Sequence, residues 1–410
     1  PEKLRWQSLY DLVGTAMWAY TSAAFRVRFV GNRDWRIRRG EMLVSTHRAE
    51  TDVPLICGQV FVPGRVCLSR TTRLNFAARE DMFERGFFAG FPPGLSPRVR
   101  RLLYPLNAGP FLPRVGVRPL PFPGADLLRL GRALEAVDAR TPLADVIPGE
   151  LVSRLEERAR DVRRPRPVVA GDVLRGEYAD ILWESRPREV LSAPLLEPVW
   201  RRRLDRATEE IRGVIDVIRE GQPILFFPEG RPSPDGTIGP LRPGLKLLVR
   251  RARPQTICPV GIAYDRITTG RHLAYFGIGH SVEPPADEIE QALLDLLRRT
   301  TPLTCGQVVA TALRSAAEEG SGSLATPELD ARLRSALEEA RSEGRPFDER
   351  LLEPGRRHRR LADALEWVLA RDLASCPDRR TLVLDRDAVL ADPELAYAVR
   401  EHGSARESAR

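Results

Sequence analysis

Three short and continuously apolar segments in the second half of the chain constrain the fold most. They read PILFFPEG (223–230), TICPVGIAY (256–264) and HLAYFGIG (272–279). A strand that is apolar on both faces needs a cover on both faces, as in a parallel or mixed sheet that lies between helices. An amphipathic pattern over 205–221, which ends in Gly221, predicts one of these helices. We therefore predict an α/β fold with a mixed central sheet flanked by helices.

The N-terminal part continues this pattern. Residues 5–25 predict a helix, FRVRFVG (25–31) and EMLVSTH (41–47) predict strands, and Pro54 suits the first turn of the helix that follows. GRVCLSR (64–70) predicts a further strand, and VGVRPLPF (115–122) a weaker one.

The domain organisation follows from changes of pattern along the 410 residues. We predict one α/β domain over 1–300, interrupted at about 124–204 by an Arg- and Pro-rich insertion with helical patterns and no strong strand. Apolar residues then recur at a spacing of three to four, which predicts a helical region over 301–402. Residues 403–410 predict a disordered tail.

Charge and cysteine content narrow the class of partner. The chain has 64 basic and 56 acidic residues, and its only lysines are Lys3 and Lys246. An arginine-rich surface favours phosphate esters and anionic lipid head groups. The basic residues are scattered among acidic helices rather than gathered, so we expect no nucleic-acid partner.

The five cysteines form no C-x-x-C pair and no metal spacing, which indicates a reducing compartment and no metal or cofactor.

Two polar segments follow predicted strands and carry the candidate chemistry. In EMLVSTHRAETD, His47 precedes Asp52 by five positions, a spacing that also fits an ordinary polar turn. A carboxylate that holds one imidazole nitrogen leaves the other nitrogen as a general base toward a hydroxyl. In ILFFPEGRPS, Glu229, Gly230 and Arg231 come directly after a buried strand, the edge at which α/β proteins bind ligands.

Together these segments resemble the glycerolipid acyltransferase family, which acylates glycerol-3-phosphate or lysophosphatidate. The family's first block is H-x4-D, here His47 to Asp52, and its third is F-P-E-G, here 227–230. The proline of its fourth block corresponds to Pro259 in ICPVGIAY. The third block departs from the family pattern, because the arginine stands one position early and Pro232 takes its usual place. The second block is matched either by GVRPLPF with Arg118 or by PVWRRR with Arg201.

The resemblance implies a role for each matched residue. His47 deprotonates the acceptor hydroxyl for attack on the thioester of acyl-CoA or acyl carrier protein, and Asp52 orients His47. Glu229, Gly230 and Arg231 hold a phosphate-bearing lipid acceptor, and Pro259 shapes the side of the acyl donor. Arg118 or Arg201 and Lys246, which follows the same strand as Arg231, assist with the phosphate. No cofactor is implied.

A membrane surface is the remaining partner that we predict. The segment 84–106 combines Phe87, Phe88 and Phe91 with arginines, a mixture that suits a lipid headgroup region and also suits a loop folded over the core. The apolar stretch 12–25 is shorter than the roughly 20 residues of a spanning helix. We therefore expect a cytoplasmic protein at the inner face of the membrane.

Three other functions are compatible with parts of this pattern. The acceptor can be a lysophospholipid or another alcohol. A hydrolase would use water as the acceptor, but no G-x-S-x-G elbow occurs in the sequence. A catalytically weak lipid-binding scaffold is the alternative from a different class, because the altered third block can weaken phosphate binding, whereas the intact His47 and Asp52 favour the enzyme.

Overall fold

The computed structural model describes residues 2–32, 34–60, 74–90, 94–121, 127–187, 190–285, 287–378 and 380–406. The chain divides into two compact units, of which unit 1 comprises residues 1–75 and 217–410 and unit 2 comprises residues 76–216. The strand predicted at 64–70 lies outside the described residues.

Strands and helices are numbered along the chain. The strands are β1 Arg26–Gly31, β2 Glu41–Ser45, β3 Asn75–Arg79, β4 Val117–Leu120, β5 Leu127–Arg129, β6 Ser185–Pro187, β7 Ile224–Phe226, β8 Thr256–Asp265, β9 Leu273–Ile278, β10 Ser323–Ala325, β11 Ala374–Ser375 and β12 Thr381–Leu384. The α-helices are α1 Glu2–Ala24, α2 Asp52–Val60, α3 Phe87–Gly90, α4 Pro97–Leu103, α5 Leu130–Glu135, α6 Leu143–Val146, α7 Gly149–Asp161, α8 Ala170–Val173, α9 Ala179–Leu182, α10 Ala193–Arg219, α11 Pro243–Ala252, α12 Ile289–Thr300, α13 Cys305–Glu318, α14 Thr326–Ser342, α15 Pro354–Ala370, α16 Arg386–Ala391 and α17 Pro393–Arg406.

Unit 1 is built on a mixed sheet. Its strands lie side by side in the order β1, β9, β8, β2, β7. Only the β8–β9 pairing is antiparallel within this part of the sheet. Every residue of β2, β7 and β9 is buried, as is β8 from Ile257 onward. The predicted α/β fold, with strands covered on both faces, is confirmed.

The C-terminal part of unit 1 is mostly helical and has its own core. Helices α13, α14 and α15 enclose buried aliphatic side chains, among them Leu313, Leu333, Leu337, Ala364 and Val368, none of which is more than 1% exposed. A small antiparallel sheet in the order β10, β12, β11 also lies in this part, which the sequence pattern did not indicate.

Helix α17 extends beyond the boundary predicted for the C-terminal tail. It runs to Arg406, and Ser404 and Ala405 are buried, so residues 403–406 are helical where a disordered tail was expected. Residues 407–410 lie outside the described part of the chain. The polar composition of HGSAR did not indicate a helix, although its small residues are buried within unit 1.

His402 in α17 gives a prediction for the stability of the protein. Its ring is buried, and Arg345 Nη1 lies 3.4 Å from His402 Nδ1. Burial and then the Arg345 charge lower the pKa of His402 to about 3. The unfolded chain therefore takes up a proton near the ordinary histidine pKa of about 6.5, while the folded chain does not.

We expect His402 to lower the free energy of unfolding as the pH falls from about 6.5 toward 3, by about 1.4 kcal/mol per pH unit. The stability that comes from the neutral imidazole is complete above the pKa of the unfolded chain and is lost as the pH falls toward the pKa of the folded chain. Urea unfolding at several pH values should show a shallower acid decline for His402→Asn. His280→Asn, which changes an exposed histidine, should keep the wild-type slope.

Unit 2 is largely helical. Its described strands form short pairs, with β3 parallel to β4 and β5 antiparallel to β6. Its core contains Leu130, Leu134, Leu143, Leu155 and Val173, each at most 1% exposed. The long helix α10 begins at Ala193 rather than near residue 205, and its last residues, from Val217, belong to unit 1. In the described part of the chain, no helix combines the length and hydropathy needed to cross a membrane.

Candidate active site

The two polar segments meet at one edge of the unit 1 sheet. His47 follows β2 and Glu229 follows β7, and these strands are parallel neighbours, so their carboxyl ends lie together. The backbone N–H of His47 donates to Glu229 Oε1 over 2.8 Å. Both residues are buried, at 8% and 5% exposed. The sheet topology therefore brings the H-x4-D and F-P-E-G segments into direct contact.

His47 and Asp52 form a hydrogen-bonded pair. His47 Nδ1 lies 2.9 Å from Asp52 Oδ2, and Asp52 is fully buried at the first position of α2. The backbone N–H groups of Arg48 and Ala49 donate to the same oxygen over 2.5 and 3.0 Å. With Asp52 Oδ2 as the acceptor, the imidazole proton lies on Nδ1. The lone pair of His47 then lies on Nε2, the nitrogen that can accept a proton.

Tyr264 holds the second oxygen of Asp52. Its hydroxyl, at the end of β8, donates to Asp52 Oδ1 over 2.6 Å and lies 3.1 Å from Thr51 Oγ1. Burial, and then the neighbouring Asp52 charge, raise the pKa of Tyr264 well above its usual range, so the hydroxyl stays protonated and remains a donor. Both carboxylate oxygens are thus fixed, and the orientation of the His47 ring is fixed with them.

Glu229 joins two backbone segments. Its Oε1 accepts from His47 N, and its Oε2 accepts from Gly239 N over 3.0 Å. Burial raises the pKa of Glu229, while the Arg48 charge and the two N–H donors act in the opposite direction. Both oxygens bind backbone groups, so this side chain ties the two loops together, and its role in holding an acceptor stays a prediction.

The segment after Gly230 exposes one arginine. Gly230 has a φ of +73°, which turns the chain after Glu229, and Arg231 is exposed. Within the described residues, no hydrogen bond or ion pair involves Arg231. Ser233 turns back, and its N–H donates to the carbonyl of His47 over 2.8 Å. The Arg231 guanidinium is therefore available to bind a ligand near the carboxyl end of β7.

The residue before helix α11 contacts the F-P-E-G turn. The residue before the helix, Arg242, donates from N to Pro228 O over 2.9 Å and from Nε to Glu229 O over 3.2 Å. Lys246 lies inside α11, which follows β7 along the chain, and its role at an acceptor phosphate stays a prediction.

The remaining predicted residues lie in different places. Pro259 is buried in β8, opposite Val44 of β2, and its effect on the acyl donor stays a prediction. Arg118 lies in β4 and Arg201 in α10, and both belong to unit 2. Arg201 Nε pairs with Glu197 Oε1 at 2.8 Å, one helical turn away. The role of either arginine at an acceptor phosphate stays a prediction.

The sequence analysis missed Tyr264, Arg48 and Arg242. Tyr264 had a weak signal, since it is the polar end of the apolar strand TICPVGIAY. Arg48 and Arg242 had none, because arginine is common throughout the chain. Among the described residues, no three or more His, Cys, Asp or Glu side chains are grouped as metal ligands.

The pair is buried, leaves one ring nitrogen free and lies at the carboxyl edge of an α/β sheet, which is the geometry that a general base needs. Comparison with known proteins gives a family match to part of the chain. The Acyltransferase family model matches residues 189–263, which include F-P-E-G and most of β8. The resemblance to an acyltransferase family is thereby confirmed by residues other than His47 and Asp52.

A solved structure is also similar to part of this chain. It is the 1-acyl-sn-glycerophosphate (LPA) acyltransferase PlsC from Thermotoga maritima, at 12% sequence identity and a TM-score of 0.36. The match covers 72% of this chain and 77% of that chain. A comparison with curated protein sequences gives no match.

Proposed function

We propose that this protein transfers a fatty acyl group from the thioester of acyl-CoA or acyl carrier protein to a hydroxyl of glycerol-3-phosphate or lysophosphatidate. The observation that carries the proposal is the His47–Asp52 pair at 2.9 Å, joined through Glu229 to the F-P-E-G segment. A hydroxyl is a poor nucleophile at neutral pH, and a base with a fixed orientation removes that obstacle.

The chemistry needs one proton to move twice. His47 Nε2 accepts the proton of the acceptor hydroxyl while the oxygen attacks the thioester carbonyl carbon. The tetrahedral intermediate collapses, the carbon–sulfur bond breaks, and the leaving thiolate takes the proton from the imidazolium. Asp52 balances the transient charge on the ring without taking a proton itself.

A phosphate on the acceptor is favoured by the charges around Gly230. Arg231 is exposed, Arg242 donates to the carbonyl of Glu229, and Lys246 lies in the first turn of α11. The N-terminus of this helix adds a partial positive charge. An acceptor with a phosphate group fits this side of the site better than a neutral alcohol does.

A membrane surface supplies such lipids, and unit 2 presents apolar side chains among arginines. Leu102 is 74% exposed and Val99 is 39% exposed in α4, which also carries exposed arginines at 98 and 101. Phe88 is 38% exposed, Phe87 packs on Trp183, and Phe91 lies outside the described residues. This mixture supports peripheral binding to anionic lipid at the cytoplasmic face.

The deciding experiment is release of free thiol from acyl-CoA and from acyl carrier protein against a panel of acceptors, with mass spectrometry of the product. The panel includes glycerol-3-phosphate, lysophosphatidate, a lysophospholipid and a neutral monoacylglycerol. We expect acylated product with a phosphate-bearing acceptor. Lipid binding without thiol release for any acceptor would favour the scaffold, and thiol release without an acceptor would favour a hydrolase.

Arg231→Lys tests the acceptor class within the same assay. The change replaces a planar fork, which binds two phosphate oxygens at once, by a point charge. We expect kcat/KM to fall by about 10-fold with phosphate-bearing acceptors, the equivalent of ~1.4 kcal/mol, and to stay nearly unchanged with neutral ones. The matched control Arg250→Lys, at an exposed position in the last turn of α11, should change neither. An equal loss with both acceptors would assign Arg231 a structural role.

A further inference from the structure

The arginine next to His47 is buried, and its Nε donates to the carbonyl of Ile262 in β8 over 3.4 Å. Arg48 is 2% exposed, and its Nη1 donates to the carbonyls of Gly236 and Thr237 over 2.7 and 3.2 Å. Its Nε lies 3.5 Å from Glu401 Oε1 in α17. A buried guanidinium costs several kcal/mol unless it is paired and hydrogen-bonded, so this side chain has a defined structural task.

Glu401 supplies the compensating charge from the C-terminal helix. It is 1% exposed, and Gln307 Nε2 in α13 donates to its Oε2 over 2.8 Å. The two contacts fix the carboxyl group between α13 and Arg48. The charge balance next to His47 therefore depends on a residue near the C-terminus of the chain.

Helix α17 also contacts the segment 233–239 along its length. The N–H of Ile238 donates to Ser404 Oγ over 2.9 Å, and Arg400 Nε donates to Asp235 O over 3.0 Å. Gly236 has a φ of +89°, and a Cβ there would come within 2.7 Å of the carbonyl of Tyr397. Only glycine allows this close approach of the segment to the helix.

The same segment holds the two catalytic motifs together at its ends. At one end Ser233 N donates to His47 O over 2.8 Å. At the other end Gly239 N donates to Glu229 Oε2, whose partner oxygen accepts from His47 N. A shift of the segment would therefore move the backbone of His47, and misplacement by ~1 Å can cost about 10²-fold in rate.

From these contacts we infer that Arg48 and Glu401 are positioning residues for acyl transfer, and that helix α17 acts in catalysis by holding the 233–239 segment against His47. The inference rests on the proposed function, in which His47 is the base. It assigns the C-terminal region a role in the reaction, although none of its residues touches the reacting atoms.

The test uses the full chain and the double variant Arg48→Met with Glu401→Gln. This variant removes both members of the Arg48–Glu401 pair together, so that neither is left without its partner, and the new amide oxygen at position 401 can still accept from Gln307. We expect near wild-type thermal stability, a kcat lower by about 10²-fold with little change in KM, and amide exchange in 233–239 faster by about 10-fold. Wild-type kcat and wild-type exchange in a folded double variant would overturn the inference.

A matched control separates positioning from general loss of stability. Asp330→Asn breaks the pair of Arg357 Nε with Asp330 Oδ1, at 2.8 Å between α14 and α15. We expect it to lower the melting temperature without changing kcat or the exchange of 233–239. The same losses in Asp330→Asn as in the double variant would show that any weakening of the C-terminal region suffices, and would contradict the specific role of Arg48 and Glu401.

A further variant and a measurement without substrates keep the inference testable. If the double variant does not fold, Ser404→Ala removes the acceptor of Ile238 N and should raise exchange and lower kcat in the same direction. Exchange is measured without substrates, so it does not depend on acyl transfer. A wild-type protein that transfers no acyl group refutes the proposed function, whereas unchanged exchange in both variants refutes the positioning role.

Discussion

Replacing His47 by alanine is expected to reduce acyl transfer by about 10²- to 10⁴-fold or more, because the imidazole is the proposed proton acceptor for the hydroxyl. The structure supports this expectation, since Asp52 occupies Nδ1 and leaves Nε2 as the basic nitrogen. The ring packs on Phe227 with 4.4 Å between centroids, so its removal leaves a small cavity. His47→Gln fills most of that space and separates loss of the base from loss of packing.

Asp52→Asn completes this test. The amide can still accept from the N–H groups of Arg48 and Ala49, but it cannot balance an imidazolium charge. We expect residual activity above that of His47→Ala. Thiol release and thermal unfolding are measured for all variants, with the exposed His280→Ala as the matched control. Near wild-type turnover by a folded His47→Ala protein would show that His47 and Asp52 have only a structural role in a polar turn.

The central strands could be predicted from sequence, whereas the contact between their ends follows from the order of the strands in the sheet. PILFFPEG, TICPVGIAY and HLAYFGIG are apolar along the stretches that the sheet buries, and burial on both faces produces that pattern. The H-x4-D and F-P-E-G segments each follow such a strand. Once β2 and β7 are parallel neighbours, the two segments must share an edge.

The contacts that fix the site could not be predicted in this way. Tyr264 reaches Asp52 from 212 positions along the chain, and nothing local distinguishes its hydroxyl from that of any tyrosine at a strand end. The pair of Arg48 with Glu401 depends on how α17 packs, and the polar sequence that follows Glu401 predicted a tail. Such contacts are set by tertiary packing rather than by periodicity.

The segment around Lys246 received no secondary-structure assignment from the sequence. GLKLLVRRA follows the strand that ends in F-P-E-G and forms helix α11. Pro243 at the first helical turn and the spacing of Leu245, Leu248 and Val249 indicate the helix. This helix adds to the argument about charge, because Arg242, the residue before its positive end, donates to the carbonyl of Glu229 in the F-P-E-G turn.

The second large effect is expected at Glu229, whose two oxygens accept from His47 N and Gly239 N. In Glu229→Gln one of the two positions holds an NH₂ group, so a donor faces a buried backbone donor. Such a mismatch costs about 1–3 kcal/mol in stability. It should also displace the His47 backbone, and we expect kcat to fall by about 10²-fold. Glu229→Asp, which keeps the charge but is too short to reach both donors, should lose activity as well.

The pH dependence distinguishes the carboxylate of Glu229 from mere packing. Its pKa is raised in the folded protein, chiefly by burial, so its contribution to stability is complete below the unfolded value and is lost as the pH rises through the folded one. Activity requires the carboxylate, so it should change in the opposite direction and decline as the pH falls through the raised pKa.

Urea unfolding and kcat are measured from about pH 4 to 8 for wild type, Glu229→Gln and the exposed control Glu220→Gln. The stability advantage of wild type over Glu229→Gln should shrink as the pH rises, while Glu220→Gln should follow wild type throughout. A difference in stability that is constant with pH would show that Glu229 carries the same protonation state in the folded and unfolded chains, and that burial does not control this site.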